Sequence, residues 1–177
     1  MGQPGSDEES QRLLELYRMN ILGQAPDAVL DSFCEKVAKQ FNVDTCAVSL
    51  VLEDRLWFKS SFGCPADLAQ VRETPRDTSF CTHVVETQRP LIVKDVSKDP
   101  RFANNPLVRK YGFGFYVGVP LKTSQGHVLG SLCLYHNKPR KFSEQEIELL
   151  KLLRERVTAD DERHIVERFA SELEGRS

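Results

Sequence analysis

Apolar residues recur along this chain at two spacings, and the change from one to the other divides it into helices and strands. "EESQRLLELYRMNIL" places Leu13, Leu16, Tyr17 and Ile21 at helical spacing, with Gly23 as a stop. "PDAVLDSFCEKVAKQF", opening near Pro26, repeats Val29, Phe33, Val37 and Phe41 every four residues, so both segments predict amphipathic helices. The period then falls to two. Cys46, Val48, Leu50 and Leu52 alternate, Leu56 and Phe58 follow, and Glu53-Asp54 lies between them as the turn of an antiparallel hairpin.

Thr78 or Ser79 is placed to cap a helix running through Glu86, and "PLIVKDV" reads as a short strand. "SKDPRFANNPLVRKYG", with Pro100, Pro106 and the adjacent Asn104 and Asn105, predicts a loop with at most short helical turns. A second hairpin follows: Phe115, Val117 and Val119 alternate before "SQG", and Val128, Gly130, Leu132 and Leu134 after it. "FSEQEIELLKLL" opens with the capping-box pair Ser143 and Glu146 and carries the stripe Ile147, Leu150, Leu153 and Val157. That stripe lapses at "TADDERH" and resumes at Ile165, Val166 and Phe169, so either one long helix or a break and restart fits.

This order predicts an α+β fold. An antiparallel sheet of about five to six strands would carry the terminal helices on one face and a short helix plus loop on the other. The divisions are a polar start and linker helix over 1–22, the domain over 23–157, and a helical tail over 158–177.

Composition narrows the function classes. A chain of 177 residues, 40% hydrophobic and 28% charged, suits one globular domain. A formal charge of -2 without a long basic run excludes an electrostatic case for nucleic acid or an anionic membrane. No apolar stretch approaches the roughly 20 residues of a membrane span, and the acidic start "MGQPGSDEESQ" is unlike a signal peptide, so the expected location is cytoplasmic. Cys34, Cys46, Cys64, Cys81 and Cys133 form no C-x-x-C pair and read first as small core residues, Cys46 and Cys133 above all.

Candidate chemistry is sparse. No phosphate loop, Ser/His/Asp order or H-E-x-x-H occurs. His83, His127 and His136 with Cys81 do not supply three or four zinc ligands at workable spacing. The charged "KDVSKDPRF" reads as a solvated loop with helix caps.

"SFCTHVVETQRPLIVKDVSKDPRFANNPLV" followed by "FYVGVPLKTSQGHVLGSLCLYHNKPRKFSEQEIELL" resembles a GAF domain, of the group fused to bacterial sensor histidine kinases and diguanylate cyclases, over about residues 24–155. The resemblance implies a small-molecule pocket between sheet and lid, walled by Phe80, Cys81, Asp95, Val96, Asn105, Phe115 and Tyr116. It leaves the ligand or cofactor unknown and calls for no catalytic residues or metal.

Related chemistries fit less well. Bilin-carrying relatives have cysteine followed at once by histidine, whereas this chain has Cys81-Thr82-His83. Free methionine sulfoxide reductases need a second cysteine between Cys81 and Cys133, where none stands. The cyclic-nucleotide signature is matched only by Asn137, Lys138, Phe142 and Glu146, which suits a structural clamp between strand and last helix.

The implied function is a non-enzymatic sensory module in signal transduction. Ligand would order the loop, with Gly112 and Gly114 as pivots, and shift the terminal helices. Leu13, Leu16 and Tyr17 with Leu150, Leu153 and Val157 would join two copies as a homodimer, and a separate output protein or domain would receive the signal. A thiol redox enzyme and a ligand-free dimerisation module are the alternatives.

Overall fold

The computed structural model describes residues 6–25 and 27–157. Its elements are α1 (Ser6–Arg18), α2 (Ala28–Phe41), β1 (Thr45–Val51), β2 (Arg55–Phe62), α3 (Ala66–Val71), β3 (Glu73–Pro75), α4 (Phe80–Thr87), β4 (Leu91–Val93), α5 (Pro106–Tyr111), β5 (Phe115–Lys122) and β6 (Val128–His136), with a last helix α6 over 144–157. Two 3-10 turns, Arg76–Thr78 and Val96–Lys98, lie between strands and helices of the lid.

The six strands form one sheet in the order β3-β2-β1-β6-β5-β4, and every neighbouring pair is antiparallel. All seven residues of β1 are buried because both faces of the sheet are covered. Successive side chains go to opposite layers. Cys46 and Val48 join Val117, Val119, Leu132 and Leu134 beneath α2 and α6. Ala47 joins Tyr116, Cys133 and Tyr135 beneath α4. Gly130 lets β1 and β6 approach closely, since a Cβ there would lie 1.7 Å from the Ser49 carbonyl oxygen.

Each helix on the first face is set by its caps. The Asp27 carboxylate accepts the Val29 and Leu30 amides at 2.9 and 3.3 Å, and the chain leaves α2 through Asn42 at φ 54°. α2 buries Leu30, Cys34, Val37, Ala38 and Phe41. Val29, which the four-residue repeat assigned to this stripe, is 76% exposed because the true stripe starts one residue later. The predicted capping box is present: the Ser143 hydroxyl accepts the Glu146 amide and the Glu146 carboxylate accepts the Ser143 amide, both at 3.1 Å. The clamp onto that helix is made by Arg140 rather than Lys138. Its guanidinium donates to Glu146 at 2.6 Å and to the Phe41 carbonyl at 2.9 Å, tying α6 to the end of α2.

α2 and α6 share one face, whereas α1 crosses the end of the sheet. Arg12, only 5% exposed, donates to the carbonyls of Val51 at 2.7 Å and Leu129 at 3.4 Å, satisfying carbonyls where the strands finish. Leu16 and Ile21 then pack with Leu50, Leu52, Trp57 and Leu129. Leu16, Leu150 and Val157, assigned above to a seam between copies, are buried in the protein's own core. The outward apolar residues on these helices are Leu14, Tyr17, Leu149 and Leu152. Whether the last helix runs past 157 and where a tail begins lie outside the described residues.

Candidate functional site

The second face of the sheet carries a lid built from α3, α4, α5 and the segments joining them. α3 and β3 are additions to the predicted order, and they shape the site. Strand β2 turns through Cys64 and Pro65 into α3, and Arg72 at φ 61° returns the chain so that Glu73–Pro75 pairs beside β2. Arg72 holds this turn by donating to the carbonyls of Phe58, Lys59 and Gln24 at 3.1, 2.9 and 2.7 Å and by lying 4.5 Å over the Trp57 ring.

Between this lid and strands β1 to β3 runs a cleft lined chiefly by Ala47, Leu56, Phe58, Leu68, Phe80, Leu107, Phe113 and Tyr135, with Thr45, Cys64, Thr74, Thr78 and Ser79 among its polar groups. Its cavity volume is about 20 Å³, room for one water. The space is small because aromatic side chains fill it. Phe80 stacks on Phe102 and Tyr116 at centroid distances of 4.3 and 4.7 Å and meets Tyr135 edge-on at 6.0 Å.

One polar atom in the wall has no protein partner: Thr74 is 5% exposed, and its Oγ1 makes no hydrogen bond among the described residues. A buried hydroxyl left unpaired costs about 1 to 3 kcal/mol. It therefore marks where a water or a ligand's polar group belongs.

Two contacts connect the cleft to its surroundings. Across its mouth, Tyr111 and Lys110 of α5 donate to Asp67 of α3 at 2.6 and 3.1 Å. The Tyr111 hydrogen bond, followed by that of Lys110, holds the Asp67 carboxyl below its ordinary range. At the other end, Arg76, between Thr74 and the start of α4, donates to Glu9 of α1 at 2.7 Å and to the Leu52 carbonyl at 2.8 Å. Glu9 also accepts from Arg12 at 2.8 Å, and the hydrogen bonds of Arg12 and Arg76 bring its carboxyl down to about 2. The wall of the cleft and the N-terminal helix thus share one carboxylate.

Of the residues that the resemblance assigned to a pocket, Phe80 lines the cleft. Cys81, Val96 and Tyr116 lie in the same layer, fully buried. Phe115 does not join them: as the strand neighbour of Tyr116 it points to the opposite layer, where it packs on Phe142 at 5.8 Å. Asp95 and Asn105 are used for local structure. Asp95 accepts the Ser97 amide at 3.1 Å and hydroxyl at 2.6 Å. Asn105 accepts the Leu107 amide at 2.9 Å and donates to the Thr78 carbonyl at 2.8 Å, so it fastens α5 to the start of α4. Thr74, Leu68, Leu107 and Phe113 were missed. The Pro65 turn and Leu68 were the only sequence signals for this part of the lid.

Among the described residues no group of three or more His, Cys, Asp or Glu side chains could hold a metal ion, and no helix is long and apolar enough to cross a membrane.

Comparison with known proteins agrees with this architecture. The GAF domain family matches residues 25–160. The cyclic di-GMP phosphodiesterase PA2567 of Pseudomonas aeruginosa is 30% identical over 150 residues, covering 84% of this chain and 25% of that protein; the chain thus spans a quarter of its relative's length. The GAF domain from Acinetobacter phosphoenolpyruvate-protein phosphotransferase superposes with a TM-score of 0.66 at 20% identity, over 95% of this chain and 99% of the other. A type II free methionine-R-sulfoxide reductase from Thermoplasma acidophilum superposes at 0.58 and 14% identity, over 84% and 90%. The two superpositions concern the fold alone. On the family match over most of its length, this chain belongs to the GAF domain family and is a module of the kind found in signalling proteins.

Proposed function

We propose that this GAF domain is a non-catalytic cytoplasmic sensor that takes a small, largely apolar ligand with one hydrogen-bonding group into the cleft beside Thr74. The observation that carries the reading is the unpaired Thr74 Oγ1 in a largely apolar wall. The ligand's polar group would satisfy that hydroxyl, and its apolar body would spread under Leu68, Leu107 and Phe113. Drug-sized ligands need cavities of roughly 300 to 1,000 Å³, so entry requires α3 and α5 to part at the Asp67 contacts. The signal would leave through Arg76 and Glu9, which connect the cleft wall to α1. A second copy would associate through outward side chains such as Leu149 and Leu152, and a separate output protein or domain would receive the change. The filled aromatic layer favours the ligand-free interaction module as the second reading.

Native mass spectrometry of the full chain purified from its own host, compared with its denatured mass, tests the first reading. A non-covalent adduct that disappears on denaturation and is depleted at least tenfold in Thr74→Val supports it. A bare protein contradicts it in favour of the interaction module, and an adduct indifferent to Thr74 contradicts the site assigned to the ligand.

A further inference from the structure

Cys81 and Cys133, 52 positions apart in sequence, meet on the lid face of the sheet with their sulfurs 3.9 Å apart. Cys81 sits in the first turn of α4 and Cys133 in the middle of β6, and both are 0% exposed. The surroundings of Cys81 are unusually rich in hydroxyls for a core cysteine. The Ser131 hydroxyl donates to its sulfur at 3.0 Å, and the Tyr116 and Tyr135 hydroxyls lie 3.3 and 4.0 Å away. Cys133 instead donates to the Ala47 carbonyl at 3.5 Å, which suits a neutral thiol.

Hydrogen-bond donors directed at one sulfur favour its thiolate. Burial pushes the Cys81 thiol up, but contact with the Cys133 thiol and the hydroxyls of Ser131 and Tyr116 outweigh it and bring the thiol down to about 6. Burial pushes Cys133 up. An electron-rich sulfur therefore lies beside a protonated one, the asymmetry that dithiol oxidation uses. Cys81 does not line the cleft; Phe80 and Tyr135, which do, stand between it and that space, so peroxide reaches the sulfur only when these rings move apart.

The geometry points to Cys81 and Cys133 as a peroxide-sensitive dithiol, a site of reversible oxidation distinct from ligand binding. The Cys81 thiolate attacks one peroxide oxygen, the O–O bond breaks, and the departing hydroxide takes a proton to become water. Cys133 Sγ then displaces the oxygen of the Cys81 sulfenic acid, its own proton leaving with that oxygen as a second water. The two thiols give up two electrons and the peroxide accepts them. Closing the sulfurs from 3.9 Å to the roughly 2.05 Å of a disulfide draws α4 toward β6. Because Ser79 and Phe80 open α4 and wall the cleft, oxidation also changes the cleft.

The test is treatment of the folded, reduced full chain with hydrogen peroxide, alkylation under denaturing conditions, and mass analysis of the intact chain and its peptides. The proposal predicts three alkyl groups on the oxidised chain where the reduced chain takes five, with a further loss of about 2 Da from the disulfide, reversed by dithiothreitol, and a cross-linked peptide pair joining Cys81 to Cys133. In Cys133→Ser the oxidation stops at a Cys81 sulfenic acid that dimedone captures. The wild-type peptide map decides the matter even where that variant fails to fold. A link between Cys34 and Cys46, a link through Cys64, or full resistance of the folded protein to peroxide overturns the proposal.

Discussion

Phe80→Ala removes the residue on which the lid face is centred, and its cost follows from the stacking around it. Phe80 is 2% exposed and stacks on Phe102 at 4.3 Å and on Tyr116 at 4.7 Å, with Tyr135 edge-on. Truncating a buried Phe to Ala costs about 3 to 5 kcal/mol through lost transfer energy and the cavity left behind. The ring pairs add about 0.5 to 1.5 kcal/mol each beyond burial, so the upper half of the range applies, about 4 kcal/mol. Urea unfolding followed by circular dichroism measures it as a lower midpoint at unchanged slope. The hole also extends the cleft, so benzene added to the variant should raise its midpoint by mass action and leave the wild type unmoved. A loss below about 1 kcal/mol would refute the reasoning, because it would mean that the rings are not packed as the stack requires.

Two further outcomes follow from contacts outside the lid. Glu9 has an ordinary value of 4.5 and a folded value of about 2, so its contribution is present above about 4.5 and is lost as the pH falls toward 2. With its side chain 32% exposed and screened, that contribution is about 1 kcal/mol. Glu9→Gln should flatten the acid side of the stability profile and shift the emission of Trp57, which packs against Leu16 of α1; an unchanged acid transition contradicts the role given to Glu9. Gly130→Ala puts a methyl 1.7 Å from the Ser49 carbonyl oxygen, where the β1–β6 backbone must separate. We expect a loss of about 3 kcal/mol or failure to fold, read by thermal unfolding, and a variant as stable as the parent contradicts the close approach.

Periodic elements were legible in the sequence because burial on one face imposes a period. The two long hairpins and α2 follow from it, and the capping box followed from Ser143 and Glu146 alone. The stripe on α2 was read one residue early because Val29 is apolar yet faces outward, and a four-residue repeat alone does not fix which edge of the stripe is buried. α3 and β3 escaped because six residues with one buried side chain and a strand of three residues carry too few positions for any period. The site suffered most from this, since Thr74 and Leu68 lie on those elements. Phe115 and Tyr116 could have been separated by alternation, which forbids adjacent strand residues from sharing a face. The meeting of Cys81 with Cys133 was illegible, because it depends on α4 folding back over a strand 52 positions later.

A molecule seated beside Thr74 should alter α1 through Arg76 and Glu9. Hydrogen exchange followed by mass spectrometry, on host-purified wild type and on Thr74→Val prepared identically, tests it most directly. Slower exchange is expected in the wild type over α3, β3 and α5, with a further difference in α1. Identical exchange in the two proteins, or a difference confined to α2 and α6, would contradict it.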